Sequence, residues 1–337
     1  MPHKQKQQSH PGAGMPHGSS TFFGWYAFAF EHPADWELAR VQGGRRAGYV
    51  AFDDGERLRI EFDWKSIGRK TAVAELAGRQ IAALEKTAKR RGVAFALERP
   101  YVAHPPSGEA ASAHKRQSHP GAGVPHLRGF EYEAWAWSAD VAAVELLARC
   151  EGCGRTLLVR VLGAKGNPPD AEARELFGTL ACGCGKDFER WGAFGLDVRV
   201  PVRFELERSS LKAGLCELVF TDKKVELHIL RASLGRMLLE KSKLVAWYES
   251  IATALMKPFE TSWTKDDVRS HLGYSGAGED RANRRLMRFF RSGRKFAARV
   301  FFCEPSDKIF AVAADGKDDV AAVVREVVDG LVCHPSP

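Results

Sequence analysis

The chain has 337 residues, 45% of them hydrophobic and 27% charged, with a formal net charge of +8. That length accommodates about two domains. The composition is that of a folded globular protein, and no apolar run approaches the roughly 20 residues of a membrane span. The first 20 residues (MPHKQKQQSHPGAGMPHGSS) contain no hydrophobic stretch, so the sequence predicts no signal peptide and a cytoplasmic protein. In a reducing compartment its seven cysteines are expected to bind metal before they form disulfides. The basic balance suits an anionic partner such as nucleic acid, but speaks to association and not to fold.

Taken in chain order, residues 1–21 read as a disordered tail. An extended segment follows (Trp25–Phe30, Pro33, Trp36), then two strands, Tyr49–Phe52 and Arg57–Trp64, the second alternating strictly between apolar and polar. Val73, Leu76, Ala77, Ile81, Leu84 and Ala88 recur at helical spacing. Residues 104–127 read as a loop insertion, because Gln117–His126 repeats Gln8–His17 at nine of ten positions and Pro and Gly at that density resist helix and sheet. Six histidines lie in or beside these two copies (His3, His10, His17, His114, His119 and His126) and read as solvated loop or as a loose metal-binding tract. Strands are predicted at Phe130–Trp137, Val141–Ala148 and Thr156–Leu162, and a closing helix after Asp170, its predicted N-cap.

The pattern then recurs. Ala47-Gly48 through Asp54 to Ser66-Ile67-Gly68-Arg69 matches Ala213-Gly214 through Asp222 to Ser233-Leu234-Gly235-Arg236, at offsets of 166 (48 to 214) and 167 (69 to 236). This alignment sets Trp64 against Leu230. A helix carrying Leu244, Trp247, Tyr248, Ile251 and Leu255, strands at Lys295–Phe302 and Ile309–Ala313, and a closing helix from Val320 to Leu331 complete the second copy. Gly273–Gly278 reads as a flexible loop. The expectation is an α+β fold. Two tandem β-β-β-α-β-β-α units, 22–185 and 199–333, are joined by a linker at 186–198, with mostly antiparallel sheets and helices packed on them.

This element order, with the opening motif His32-Pro33-Ala34-Asp35-Trp36, resembles the α/β/α sandwich of the PsbP-like superfamily. The resemblance implies antiparallel sheets faced by helices, in proteins that mostly bind or assemble and do not catalyse. It carries over no functional residue.

Two features carry chemistry. Cys150-Glu151-Gly152-Cys153 is a C-x-x-C turn, and Cys182-Gly183-Cys184 offers two further thiolates for a tetrahedral Cys₄ zinc site. The repeat aligns Cys150 with Cys303 and Cys182 with Cys333, which suggests that these places are neighbours in each copy. Cys303, Cys333 and His334, with His271 as a distant fourth, form a possible second site. The competing readings are a thiol redox or disulfide pair, and free thiols packed as small hydrophobes. Cys216 reads as core. Arg281, Arg284, Arg285, Arg288 and Arg291 fall on one side of a predicted helix, opposite Leu286, Phe289 and Phe290, as either a solvated face or an anion-binding one. No P-loop, dinucleotide-binding fingerprint, nucleophile elbow or H-E-x-x-H motif occurs. The expected function is therefore a non-catalytic binding or assembly protein with a structural zinc site. The alternatives are a nucleic-acid-binding protein and a thiol redox protein.

Overall fold

The computed structural model describes residues 20–68, 70–99, 101, 127–281 and 293–334. The expected tail and loop insertion, with the duplicated histidine tract, lie outside these residues, apart from the margins at 20–21 and Leu127.

The chain opens with a hairpin of β1 (Ser20–Trp25) and β2 (Phe28–Pro33). It continues through β3 (Glu37–Gly43), β4 (Ala47–Asp53), β5 (Leu58–Lys65), helix α1 (Val73–Arg91), β6 (Ala96–Glu98), β7 (Phe130–Ser138), β8 (Ala142–Cys150), β9 (Thr156–Gly163), helix α2 (Asp170–Thr179) and the short β10 (Ala181–Cys182). A second hairpin, β11 (Phe188–Ala193) and β12 (Leu196–Pro201), begins the second half. Then come β13 (Glu205–Leu211), β14 (Leu215–Thr221), β15 (Val225–Ser233), helices α3 (Gly235–Lys241), α4 (Leu244–Ile251) and α5 (Thr253–Met256), β16 (Phe259–Val268), β17 (His271–Asp280), β18 (Lys295–Cys303), β19 (Lys308–Gly316) and helix α6 (Val320–Asp329).

These strands form three antiparallel sheets. Two have seven strands and the same connectivity, β3-β4-β5-β9-β8-β7-β6 and β13-β14-β15-β19-β18-β17-β16. The third, β10-β2-β1-β11-β12, has five and takes strands from both halves. The molecule is thus dominated by antiparallel sheet. This corrects the expected α+β fold with helices packed on its sheets, and also the β-β-β-α-β-β-α order, since in each half five strands precede the first helix and four more precede the closing helix.

Three local misreadings account for the correction. Residues 186–198, expected as linker, lie largely within β11 and β12. Phe259–Val268 carries charge at many positions because its side chains are mostly exposed, which hid it as a strand. Gly273–Gly278 is not a loop but the middle of β17, between β16 and β18. Its glycines are there for clearance, because a Cβ on Gly276 would come within 2.7 Å of the Trp263 ring and one on Gly273 within 2.6 Å of the Val300 carbonyl oxygen. The helical pattern from Leu244 to Leu255 also resolves into two helices, broken at Ala252.

The sheets refine the internal alignment. Asp54 and Asp222 each accept backbone N–H bonds from the turn that follows, Glu56 and Arg57 in one case, Lys224 and Val225 in the other. The first turn is one residue longer. The pairs Phe52↔Ile60 and Phe220↔Leu227 therefore correspond, and so do Gly48↔Trp64 and Cys216↔Arg231. Arg231, not Leu230, stands where Trp64 stands.

The principal core lies between the five-stranded sheet and the inner faces of the two larger ones, and includes Phe28, Phe62, Trp64, Trp191, Phe220 and Val312. Smaller cores form where α1 covers Trp135 and Leu147, and where α4 covers Ala298, Val300 and Ala311. The five-stranded sheet joins the halves at Gly24↔Gly192, and a Cβ on either glycine would run into the Phe22 ring. α2 and α6 lead into equivalent places. Asp319 caps α6 by accepting from the Ala322 N–H. Asp170, the expected N-cap of α2, is instead its first residue, and its carboxylate accepts the Tyr101 hydroxyl at 2.7 Å.

Candidate metal centres

Each half gathers four ligand side chains at one corner, where the hairpin between two central strands meets the end of the closing helix. The described residues contain two such groups, Cys150, Cys153, Cys182 and Cys184, and His271, Cys303, Cys333 and His334, and within each all ligand atoms lie within 4.8 Å of one another.

In the first group, Cys150 ends β8 and Cys153 lies on the turn into β9. Gly154, at φ 72°, closes this turn through its N–H to the Cys150 carbonyl, 2.8 Å. The glycine that matters to the site is Gly152, where a Cβ would stand 2.7 Å from Cys184 Sγ. Cys182 pairs with Phe28 in the five-stranded sheet, and the next N–H, of Gly183, donates to the Ala27 carbonyl at 2.7 Å. The sulfurs come together at 3.5 Å for Cys150 and Cys184 and 3.8 Å for Cys153 and Cys182. Four thiolates around an ion at about 2.3 Å sit about 3.8 Å apart, so the set fits a tetrahedral metal. Burial raises the Cys153 thiol, but the Arg155 guanidinium, which donates to it at 3.5 Å, outweighs that and brings it down to about 7. Burial pushes Cys182 and Cys184 up.

The second group reaches the same count from different residues. Cys303 ends β18 as Cys150 ends β8, and Cys333 and His334 follow α6. His334 Nδ1 is 3.2 Å from both Cys303 Sγ and Cys333 Sγ, and His271 Nε2 is 3.3 Å from Cys333 Sγ. His271 enters from β17. Extending the Gly273↔Phe301 register by two residues sets it opposite Cys303, whereas in the first half Phe130 is opposite Cys150. A backbone turn with Arg269 and Ser270 at φ 54° and 62° delivers His271 there, and the ring stacks on Phe301 at 5.5 Å. Burial, and then His334, lower the His271 pKa, which favours the neutral imidazole a metal requires. So Cys153 comes from the turn in one half and His271 from the neighbouring strand in the other. The two groups can each hold a metal ion.

A third group, Glu226, His228 and Asp315, escaped the sequence reading. Its members are already partnered: His228 Nε2 meets Glu226 at 2.8 Å, and Asp315 is paired with Arg294. By register His228 occupies the place of Glu61, which in the first half belongs to the partly buried cluster Glu61–Arg160–Glu145. It is the charge network of the second half. All seven cysteines are free thiols, and Cys216, as expected, is buried in β14. Arg281 follows β17 and donates through Nε to the Phe259 carbonyl, while Arg284, Arg285, Arg288 and Arg291 lie outside the described residues. No helix among the described residues is long and apolar enough to cross a membrane.

No family model and no curated protein matches the chain. Among solved structures it is similar to the immunity protein TplEi of the T6SS from Pseudomonas aeruginosa, in its apo form and complexed with an "L" peptide. Identity is 12% and the TM-score 0.33 in both; 94% of this chain and 97% and 98% of those chains are covered. At that TM-score the likeness carries no argument about this chain.

Proposed function

We propose that this is a non-catalytic binding or assembly protein whose two halves are each fastened by a structural zinc ion. The observation that carries this reading is the recurrence of a four-ligand set at the same corner of both halves, built once from four cysteines and once from two cysteines and two histidines. Four protein ligands leave no coordination position for a substrate, which is the mark of a structural and not a catalytic zinc site. Thiolate and imidazole donors at these separations select zinc over hard cations such as magnesium or calcium. Each ion would tie the end of a closing helix to a strand hairpin and to the shared five-stranded sheet, holding a broad surface rigid for a partner.

Elemental analysis of the purified full chain under reducing conditions should find about two zinc ions per molecule, and a strong chelator should lower the melting temperature. Metal-free protein with a Cys150–Cys184 or Cys153–Cys182 disulfide by non-reducing mass spectrometry would overturn this reading in favour of thiol redox chemistry.

A further inference from the structure

Where the two halves meet, the structure leaves two cations facing a cavity of about 260 Å³ that includes Thr21, Phe52, Phe194, Gly195, Arg231 and Lys308 in its wall. Arg231 is 4% exposed, and two of its nitrogens are held by backbone carbonyls, Nη1 by Ala213 at 2.7 Å and Nη2 by Phe194. Its Nε is buried with no hydrogen-bond partner. Lys308 begins β19, and neither it nor Arg231 has an ion pair among the described residues. The two charges are close together: a Cβ on Gly195 would collide with Lys308 Nζ and stand 3.8 Å from Arg231 Nη2. His32 also lines the cavity, spends its Nδ1–H on the Pro33 carbonyl at 2.8 Å, and is kept neutral by burial. The one carboxylate in the wall, Glu37, is exposed.

A buried guanidinium and a half-buried ammonium beside each other, with no carboxylate paired to either among the described residues, repel unless an anion joins them. The fork of an arginine whose Nε–H is unspent, next to a lysine ammonium, matches the oxygens of a tetrahedral oxyanion. We infer that this cavity binds a small oxyanion of the phosphate type, between Arg231 Nε and Lys308 Nζ at the junction of the halves. The first half has no equivalent, because Trp64 stands in the place of Arg231 and Arg155, the counterpart of Lys308, lies over the Phe28 ring at 4.1 Å. The site uses no ligand of either metal group, although Lys308 pairs with Cys303 across the β18–β19 turn.

The test is thermal melting of the full, metal-replete chain with increasing sodium phosphate, ionic strength held constant with sodium chloride. The wild type should show a saturable rise in melting temperature that chloride does not give. Lys308→Met should bind phosphate at least tenfold more weakly while melting, without phosphate, no lower than the wild type, since a repulsion has been removed. A phosphate response equal in Lys308→Met and wild type, or no response in the wild type beyond that of chloride, would overturn the site. If Lys308→Met fails to fold, Lys308→Gln supplies the same comparison.

Discussion

Serine in place of Cys303 or Cys333 should reduce the zinc content from about two ions per chain to about one and lower the melting temperature by about 6 °C. Cys303 is fully buried and stands with its neighbours at the corner where α6 ends against β17 and β18. An ion that binds only the folded state stabilises it by RT ln(1 + [L]/Kd), about 4 kcal/mol when the free metal is a thousandfold above Kd. At about 2.1 cal/mol/K of unfolding entropy per residue, each kcal/mol moves the midpoint of a chain this long by about 1.5 °C. The control is Cys216→Ala. Cys216 is equally buried in β14 and burial pushes its thiol up to about 12, but it belongs to neither ligand group. That variant should keep both ions and lose only about 1 kcal/mol, the ordinary cost of a small core truncation. Equal metal content in Cys303→Ser and wild type would show that the second group holds no zinc.

Trp191→Ala should be as damaging by a different route. Trp191, on β11, is 1% exposed and meets Trp25 and Tyr26 of the first hairpin at 5.1 and 5.0 Å, and Phe220 of the second large sheet at 5.1 Å, all in edge-on geometry. Removing a buried tryptophan costs about 3–5 kcal/mol through lost transfer energy and the cavity left behind, and each aromatic pair adds about 0.5–1.5 kcal/mol. Because the lost contacts join the halves, urea unfolding followed by fluorescence and by circular dichroism should separate into two transitions that coincide in the wild type. A single transition displaced by less than about 1 kcal/mol would show that the halves are held together elsewhere.

The first ligand group was readable because Cys150 and Cys153 sit in one turn and Cys182 and Cys184 are a residue apart, so local spacing points to both pairs. His271 was not readable in the same way. It reaches the second group through a hairpin turn at positive φ and a strand that the glycines of 273–278 disguised, so its role depends on strand register, which composition does not encode. The same limit explains the misaligned repeat: one extra turn residue after Asp54 shifts the second strand, and a one-residue shift exchanges inward and outward side chains. It made Leu230 the counterpart of Trp64, though Leu230 packs under α4 and Arg231 lies on the inner face. The charged pocket at the junction was invisible for a further reason: its two cations are 77 positions apart (231 to 308) and meet only when β15 and β19 pair.

The pairing of Gly24 with Gly192 has an architectural meaning. β1 and β11 hold equivalent positions in their halves and meet antiparallel, so the contact is self-complementary in the manner of a twofold subunit interface. Cut between β10 and β11, each half would be left with an unpaired, glycine-notched strand edge flanked by aromatic rings, a template for joining another chain. Covalent linkage turns that association into an intramolecular event at high effective concentration. Only the few residues between Cys182 and Phe188 span the junction, so the molecule is in effect a dimer that cannot dissociate. Each half is then free to differ, one carrying four cysteines and the other two cysteines and two histidines.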